Sequence, residues 1–257
     1  MGQLVNSFNR TRRLVSRQLS ITLARLGLII ERTAKSESFE ALLVRRLAVV
    51  QRAKQNFFFL QIGANDGITH DPIHAFVTSY RVTGIVVEPL PDVFTELCET
   101  YRHHKQVRKL NVAVHEELNR VTLYRPDPAK GMSGIASLNE KRHELTSERS
   151  GIEQADILAV EVPAISLSCL LESERVEHLD LLQIDTEGYD MKILAGLDLS
   201  RYRPSIIRFE HGVYSGVAVR DELRDALFRL YDHGYSIAME RVDAVAWLNE
   251  DVAKRRL

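Results

Sequence analysis

Cysteine is scarce in this chain: two in 257 residues, Cys98 and Cys169. Two isolated thiols cannot build a disulfide framework or a metal knuckle. Their apolar, helix-like settings (FTELCETY and SLSCLLES) mark both as core-packing groups, and a reducing compartment such as the cytoplasm fits. Long apolar runs are missing too. The longest, residues 26–30, is bounded by charge and far short of the roughly 18 residues of a membrane span. Residues 1–30 also lack the apolar stretch and small-residue cleavage site of a secretory signal. No charge of one sign dominates: 34 Lys and Arg face 35 Asp and Glu, a formal net charge of −1.

That balance hides an asymmetry. Residues 1–56 hold eleven Lys or Arg against three acids, a net +8, which leaves −9 for the remainder. An acidic body with a basic arm is not the footprint of a nucleic-acid-binding core, which carries its basic face on the domain itself. Within the arm, Leu4, Phe8, Val15, Leu19, Leu23, Leu26 and Ile30 recur at helical spacing while Arg10, Arg13 and Arg17 fall elsewhere, so residues 3–31 read as a basic amphipathic helix. Such a helix suits peripheral contact with an anionic membrane, or packing on its own domain or on a second subunit of a homo-oligomer. Residues 38–55 read as a second helix, and residues 1–55 together as a helical appendage.

From residue 56 short apolar strands alternate with helical stretches. Strands are expected at 57–62, 84–88, 107–114, 179–185 and 205–210, with a closing antiparallel pair at 235–242 and 244–248. Helices are expected at 92–103 and 219–233, the latter closed by Gly234. Near-continuous apolar strands separated by helices predict an α/β domain over 56–257, a doubly wound, mostly parallel seven-stranded sheet covered on both faces. Residues 127–155 break the pattern. This polar, glycine-containing stretch is too long for a plain connection and reads as a lid in preference to disorder, with Ser133 and Ser137 as solvated loop residues or, alternatively, as marks of a glycine-hinged lid that contacts the acceptor.

The chemistry-bearing signal begins at Gly63-Ala64-Asn65-Asp66-Gly67, directly after the first strand. Glycines there let a ligand approach the backbone at the carboxyl end of the sheet. Glu88 ends the second strand, 21 residues after Gly67, the separation from which an acid accepts hydrogen bonds from ribose hydroxyls. Turn and acid together fit either a dinucleotide or S-adenosylmethionine. A dinucleotide turn presents bare amides to pyrophosphate; here the middle glycine is absent and Asp66 would repel phosphate. An acid at that place suits the ammonium of a methionine moiety.

The runs FLQIGANDG, VVEPLPDVF, LNVAV, LLQIDTEGYDMKILAGL and PSIIRFEH, in that order over roughly residues 57–250, resemble the FkbM-type class I methyltransferases. The resemblance implies a Rossmann-like fold and an S-adenosylmethionine-dependent O-methyltransferase acting on hydroxyls of sugars, glycolipids or related natural products. It implies that Gly63, Asn65, Asp66 and Gly67 line the methionine end, that Glu88 holds the ribose, and that Asn111 and Ala113 edge the adenine. The family's Asp-x-Glu-Gly falls on Asp185, Glu187 and Gly188.

A hydroxyl acceptor needs help to attack a sulfonium methyl. Asp185 ends one strand and Glu210-His211 end the next, which places three polar groups beside the expected cleft. His211 is the base by intrinsic pKa; alternatively Asp185, Glu210 and His211 hold a divalent cation that acidifies the hydroxyl. Asp185 and Glu187 also read as caps for the helix beginning near Gly188. Asp190 reads as a solvated or helix-terminal charge, and Asp71-Pro72 as a turn without catalytic work. Two other functions share the sequence features: a nicotinamide-dependent oxidoreductase on a similar sheet, and a non-catalytic binding module.

Overall fold

The computed structural model describes residues 38–130, 136–138, 156–212 and 220–248; the basic segment 3–31 and Ser133 lie outside them. The first element, α1 (Phe39–Arg52), starts where Ser38 Oγ accepts from Ala41 N and carries Glu40 in its first turn. Its stripe of Leu42, Leu43, Leu47 and Val50 shares one core with Phe57, Phe59, Phe76 and Val77. Arg46 reaches Asp180 at 2.8 Å, and Asp180 in turn accepts from Phe58 N. The compact unit therefore begins at Ser38: α1 is part of the sheet's core, where its pattern in the sequence had grouped it with the arm.

Strands β1 (Phe58–Ile62), β2 (Thr83–Val87) and β3 (Val107–Leu110) alternate with α2 (His74–Tyr80) and α3 (Pro91–Thr100). The chain continues through β4 (Ala113–Val114), β5 (Arg120–Pro126), β6 (Ile157–Ile165), α4 (Leu167–Ser173), β7 (Leu181–Ile184), α5 (Asp190–Ala195), β8 (Ile206–Glu210), α6 (Arg220–Asp232), β9 (Tyr235–Met239) and β10 (Asp243–Leu248). The main sheet has seven strands in the order β3-β2-β1-β7-β8-β10-β9. β10 alone runs antiparallel to its neighbours, β8 and β9. All four residues of β7 are buried, as a central parallel strand covered on both faces requires. After α6, Gly234 takes φ +87, the left-handed turn of a helix end.

Three details depart from the sequence reading. The strand expected at 107–114 divides, because Asn111 Nδ2 donates to the carbonyls of Glu88 and Pro89 and ties the chain to the end of β2; β3 stays in the main sheet and β4 joins a second one. That second sheet, β4-β6-β5, contains two strands the sequence reading left out. β5 and β6 pair antiparallel from Arg120↔Pro163 to Pro126↔Ile157, and residues 127–156 connect them. Neither cysteine is buried: Cys169 is exposed and Cys98 half-buried, both free. On α4 the core-facing stripe is Leu167, Leu170 and Leu171, and Cys169 lies off it. Among the described residues no helix is long and apolar enough to cross a membrane.

Candidate cofactor cleft and active site

Strand order reverses between β1 and β7: the chain leaves β1 toward β2 and β3, and later returns to lay β7 and β8 on the other side. A crevice opens at such a switch point outside the carboxyl ends of the strands. Here the turn after β1 is pinned from both sides. Gly63 N and Ala64 N each donate to Val87 O at 3.0 Å, and Asp185 N donates to Ile62 O at 2.9 Å. Gly63 has φ +79, and a Cβ on it would stand 1.8 Å from Asp185 O. Only glycine fits between the two strand ends. Gly63→Ala is expected to lower stability by about 2 kcal/mol or more, read as the shift in a urea unfolding midpoint; an unchanged midpoint would contradict this packing.

The cleft is open at its mouth and is lined from the ends of β1, β2 and β7. Glu88 forms one side. Its Oε2 accepts from Asn65 N and its Oε1 from Leu90 N, both at 3.0 Å. Each oxygen so engaged keeps a second lone pair, which is what a ribose diol needs. Burial is the largest influence on this carboxyl and pushes it up to about 7, against the two backbone donors and the charge of Arg125. Beyond Glu88, Leu90, Val93, Ala113, Leu123 and Leu138 make an apolar slot suited to a flat base. Donor set and slot thus fit a nucleoside with a free ribose.

At the other side stands the β7–α5 loop. Asp190, read from sequence as a solvated or helix-terminal charge, is the first residue of α5 but is 1% exposed. It accepts from Thr186 N, Thr186 Oγ1 and Glu210 N, so one carboxylate welds the tips of β7 and β8. Burial, followed by the charges of Asp190, Glu210 and Asp243, pushes Asp185 up to about 7, with Arg208 opposing. Glu187 has φ +56; its carbonyl accepts from Ser137 Oγ at 3.0 Å. Neither Asp185 nor Glu187 caps α5, whose N-cap is Tyr189 without a side-chain bond. Ser137 is buried rather than solvated and bridges to Tyr124 on β5, so Ala136 and Leu138 from the 127–155 segment line the cleft.

Of the residues singled out from sequence, Gly63, Asn65, Glu88, Ala113, Asp185 and Glu187 line this one hollow. Asp66, Gly67, Asn111, Glu210 and His211 do not. The Asp66 carboxylate turns back on its own loop, accepting from Ile68 N, Thr69 N and Thr69 Oγ1. Burial would raise it, but these bonds prevail and hold it below its usual range. Gly67 packs under α3: a Cβ there would stand 2.8 Å from Leu97 and Tyr101. Asn111 is the tether described above. The His211 ring is buried beneath the β9–β10 turn, its Nε2 3.3 Å from Glu240 O, and burial lowers its pKa. Among the described residues no three His, Cys, Asp or Glu gather as a metal-binding group. Asp185, Glu210 and His211 are not gathered as such a group among the described residues.

The structure adds lining residues that sequence reasoning passed over, Gln61 on β1 and Gln183 on β7, and with them Asp71 in the loop before α2, read from sequence as a turn. The signal was present in part, since Gln61 and Gln183 are single amides inside otherwise apolar strands (FFFLQIG, LLQID).

A reversing parallel sheet with a buried acid at the end of β2, an apolar slot beside it and a second acid across β1 at the end of β7 has the Rossmann-like architecture of the class I methyltransferases. The sequence matches the Methyltransferase FkbM domain over residues 61–236, and the chain belongs to that family. It is thus a methyltransferase with the fold of S-adenosylmethionine-dependent enzymes. No curated protein matches it. Solved structures similar to it include the O-methyltransferase from Bacillus cereus in complex with SAH, with 11% identity, coverage of 91% of this chain and 90% of that chain, and a TM-score of 0.38. A putative O-methyltransferase from Klebsiella pneumoniae shows 13% identity, the same coverages and a TM-score of 0.39. Fibrillarin from Aeropyrum pernix with natively bound S-adenosyl-L-methionine shows 12% identity over 75% of this chain and 65% of that chain, with a TM-score of 0.35. At such values the likeness is remote.

Proposed function

We propose that this methyltransferase uses S-adenosylmethionine to methylate a hydroxyl of a sugar, glycolipid or related natural product, with Asp185 as the base. The observation that carries the reading is that Asp185 and Glu88 face one cleft from the ends of β7 and β2, the two strands that flank β1. Ribose held at Glu88 directs the rest of the donor toward β7. The donor supplies a methyl on a sulfonium: its C–S bond breaks with the electron pair left on sulfur as a C–O bond forms. The chain's part is to hold the acceptor oxygen in line and remove its proton. Asp185, poised near neutrality, suits that proton transfer. Glu187 stands beside it to accept from a second acceptor hydroxyl, while Glu210 and His211 support the strand tips from behind. In this reading the basic residues 3–31 bring the enzyme to an anionic surface carrying a glycolipid, or to a second subunit.

The test uses the full chain. Titration calorimetry with S-adenosylmethionine and with NAD should show binding of the first alone. Transfer of labelled methyl from that donor to a panel of glycosides and glycolipids should then yield ethers. Binding of the dinucleotide alone would favour an oxidoreductase, binding without any transfer a scaffold, and methylation only of amines or carbon would overturn the oxygen acceptor.

A further inference from the structure

Gln61 and Gln183 are register partners on β1 and β7, so their side chains emerge side by side on one face of the sheet. They are 3% and 0% exposed, and both line the cleft. Gln61 Oε1, and both Oε1 and Nε2 of Gln183, have no hydrogen-bond partner among the described residues. Asp71 Oδ2, which also belongs to the cleft lining, has no partner at hydrogen-bond geometry either, although the Gln61 side chain lies near enough to act on this carboxyl. The other oxygen of Asp71 is fixed by Ile73 N and His74 N at 2.7 and 3.0 Å, so its carboxylate cannot swing away. Buried amides and carboxylates left without partners are costly and rare, and four such atoms at one end of a ligand cleft form a vacant binding pattern.

The pattern has a definite chemistry. Three of the atoms are oxygens that accept, one of them on a carboxylate; the fourth is an amide nitrogen that donates. An ammonium group has three N–H donors and a positive charge, and a carboxylate beside it needs a donor. An α-amino acid moiety satisfies all four atoms at once and sets a positive charge against the carboxylate; a phosphate lacks the donors, and a neutral hydroxyl chain leaves the carboxylate's charge unmatched. We infer that Asp71, Gln61 and Gln183 hold the amino-acid end of the methyl donor, with Asp71 as counter-ion to its ammonium. Asp66, the loop acid nearest in sequence to the glycine turn, spends its oxygens on its own loop. The assignment rests on the donor proposed above.

Calorimetry with two nucleosides tests it without any turnover. S-adenosylhomocysteine carries the amino-acid end on a neutral sulfur; 5′-methylthioadenosine keeps the nucleoside and lacks that end. The wild-type chain should prefer the first by about tenfold or more, as hydrogen bonds to a charged group imply. Asp71→Asn should shrink that preference by about tenfold while leaving the affinity for 5′-methylthioadenosine unchanged. Gln183→Leu should shrink it as well, and decides the matter if the Asp71 variant does not fold. Equal loss for both nucleosides, or no preference in the wild type, overturns the assignment. Failure of the wild type to bind either nucleoside overturns the donor reading beneath it.

Discussion

Replacing Glu88 by Ala is expected to weaken S-adenosylmethionine binding by about 10²–10⁴-fold, the loss of two hydrogen bonds to a charged acceptor. Calorimetry on the full chain measures it. The effect has two parts. The ribose loses its acceptors, and Asn65 N and Leu90 N lose theirs inside the fold, so the turn that floors the cleft is no longer held. The same carboxyl sets a pH dependence. Its pKa rises from 4.5 to about 7 on folding, so between those values the folded protein binds more protons than the unfolded chain. The stability this group contributes is present below pH 4.5 and is lost as pH rises to about 7. Over that window the donor-free protein should lose roughly 3 kcal/mol from this group, at 1.36 kcal/mol per unit. Ribose hydroxyls donate to the ionised form, so donor affinity should fall as pH drops below about 7. An Ala variant that binds the donor like the wild type would remove Glu88 from the cleft's chemistry.

Asp185→Asn should lower kcat by about 10²–10⁴-fold, the usual contribution of a positioned base, with the donor's dissociation constant changed only a few-fold. Asn keeps the shape and the neighbours of Asp and removes only the proton acceptor. With donor and acceptor saturating, the wild type should show kcat rising with pH through about 7 and levelling above it, because the carboxyl must be ionised to accept the proton. That limb should vanish in the variant. If it persists unchanged, the base is another group, and Glu187, which lines the same cleft, is next to be replaced.

What was legible in the sequence follows the reach of local rules. The parallel strands could be read because a strand covered on both faces is apolar along its length, and Glu88 because strand, turn and helix fix its distance from Gly67. Which acid of a loop faces the ligand could not. Asp66 and Asp71 are five residues apart in one polar stretch, and the choice falls to bonds that capture the Asp66 carboxylate at Ile68 and Thr69. Asp190 was misjudged for a related reason: helix periodicity says nothing of the strand tip that closes over it. β5 and β6 escaped because their alternation marks a small sheet with one buried face, and the polar segment between them hides that they pair. α1 was grouped with the arm because its charge resembles the arm's, though its leucine stripe belongs to the sheet.

The polar segment of residues 127–155 springs from the β5–β6 hairpin, outside the seven-stranded sheet, and touches the β7–α5 loop through Ser137 and the Glu187 carbonyl. Loop closure between paired strands costs little more as the loop lengthens, so the hairpin tolerates a different insert in this place. A chimera carrying a relative's segment between Pro126 and Ile157 should keep the hairpin, but where the exchange removes Leu138 from the apolar slot beside Glu88 calorimetry should read a weaker affinity for the donor.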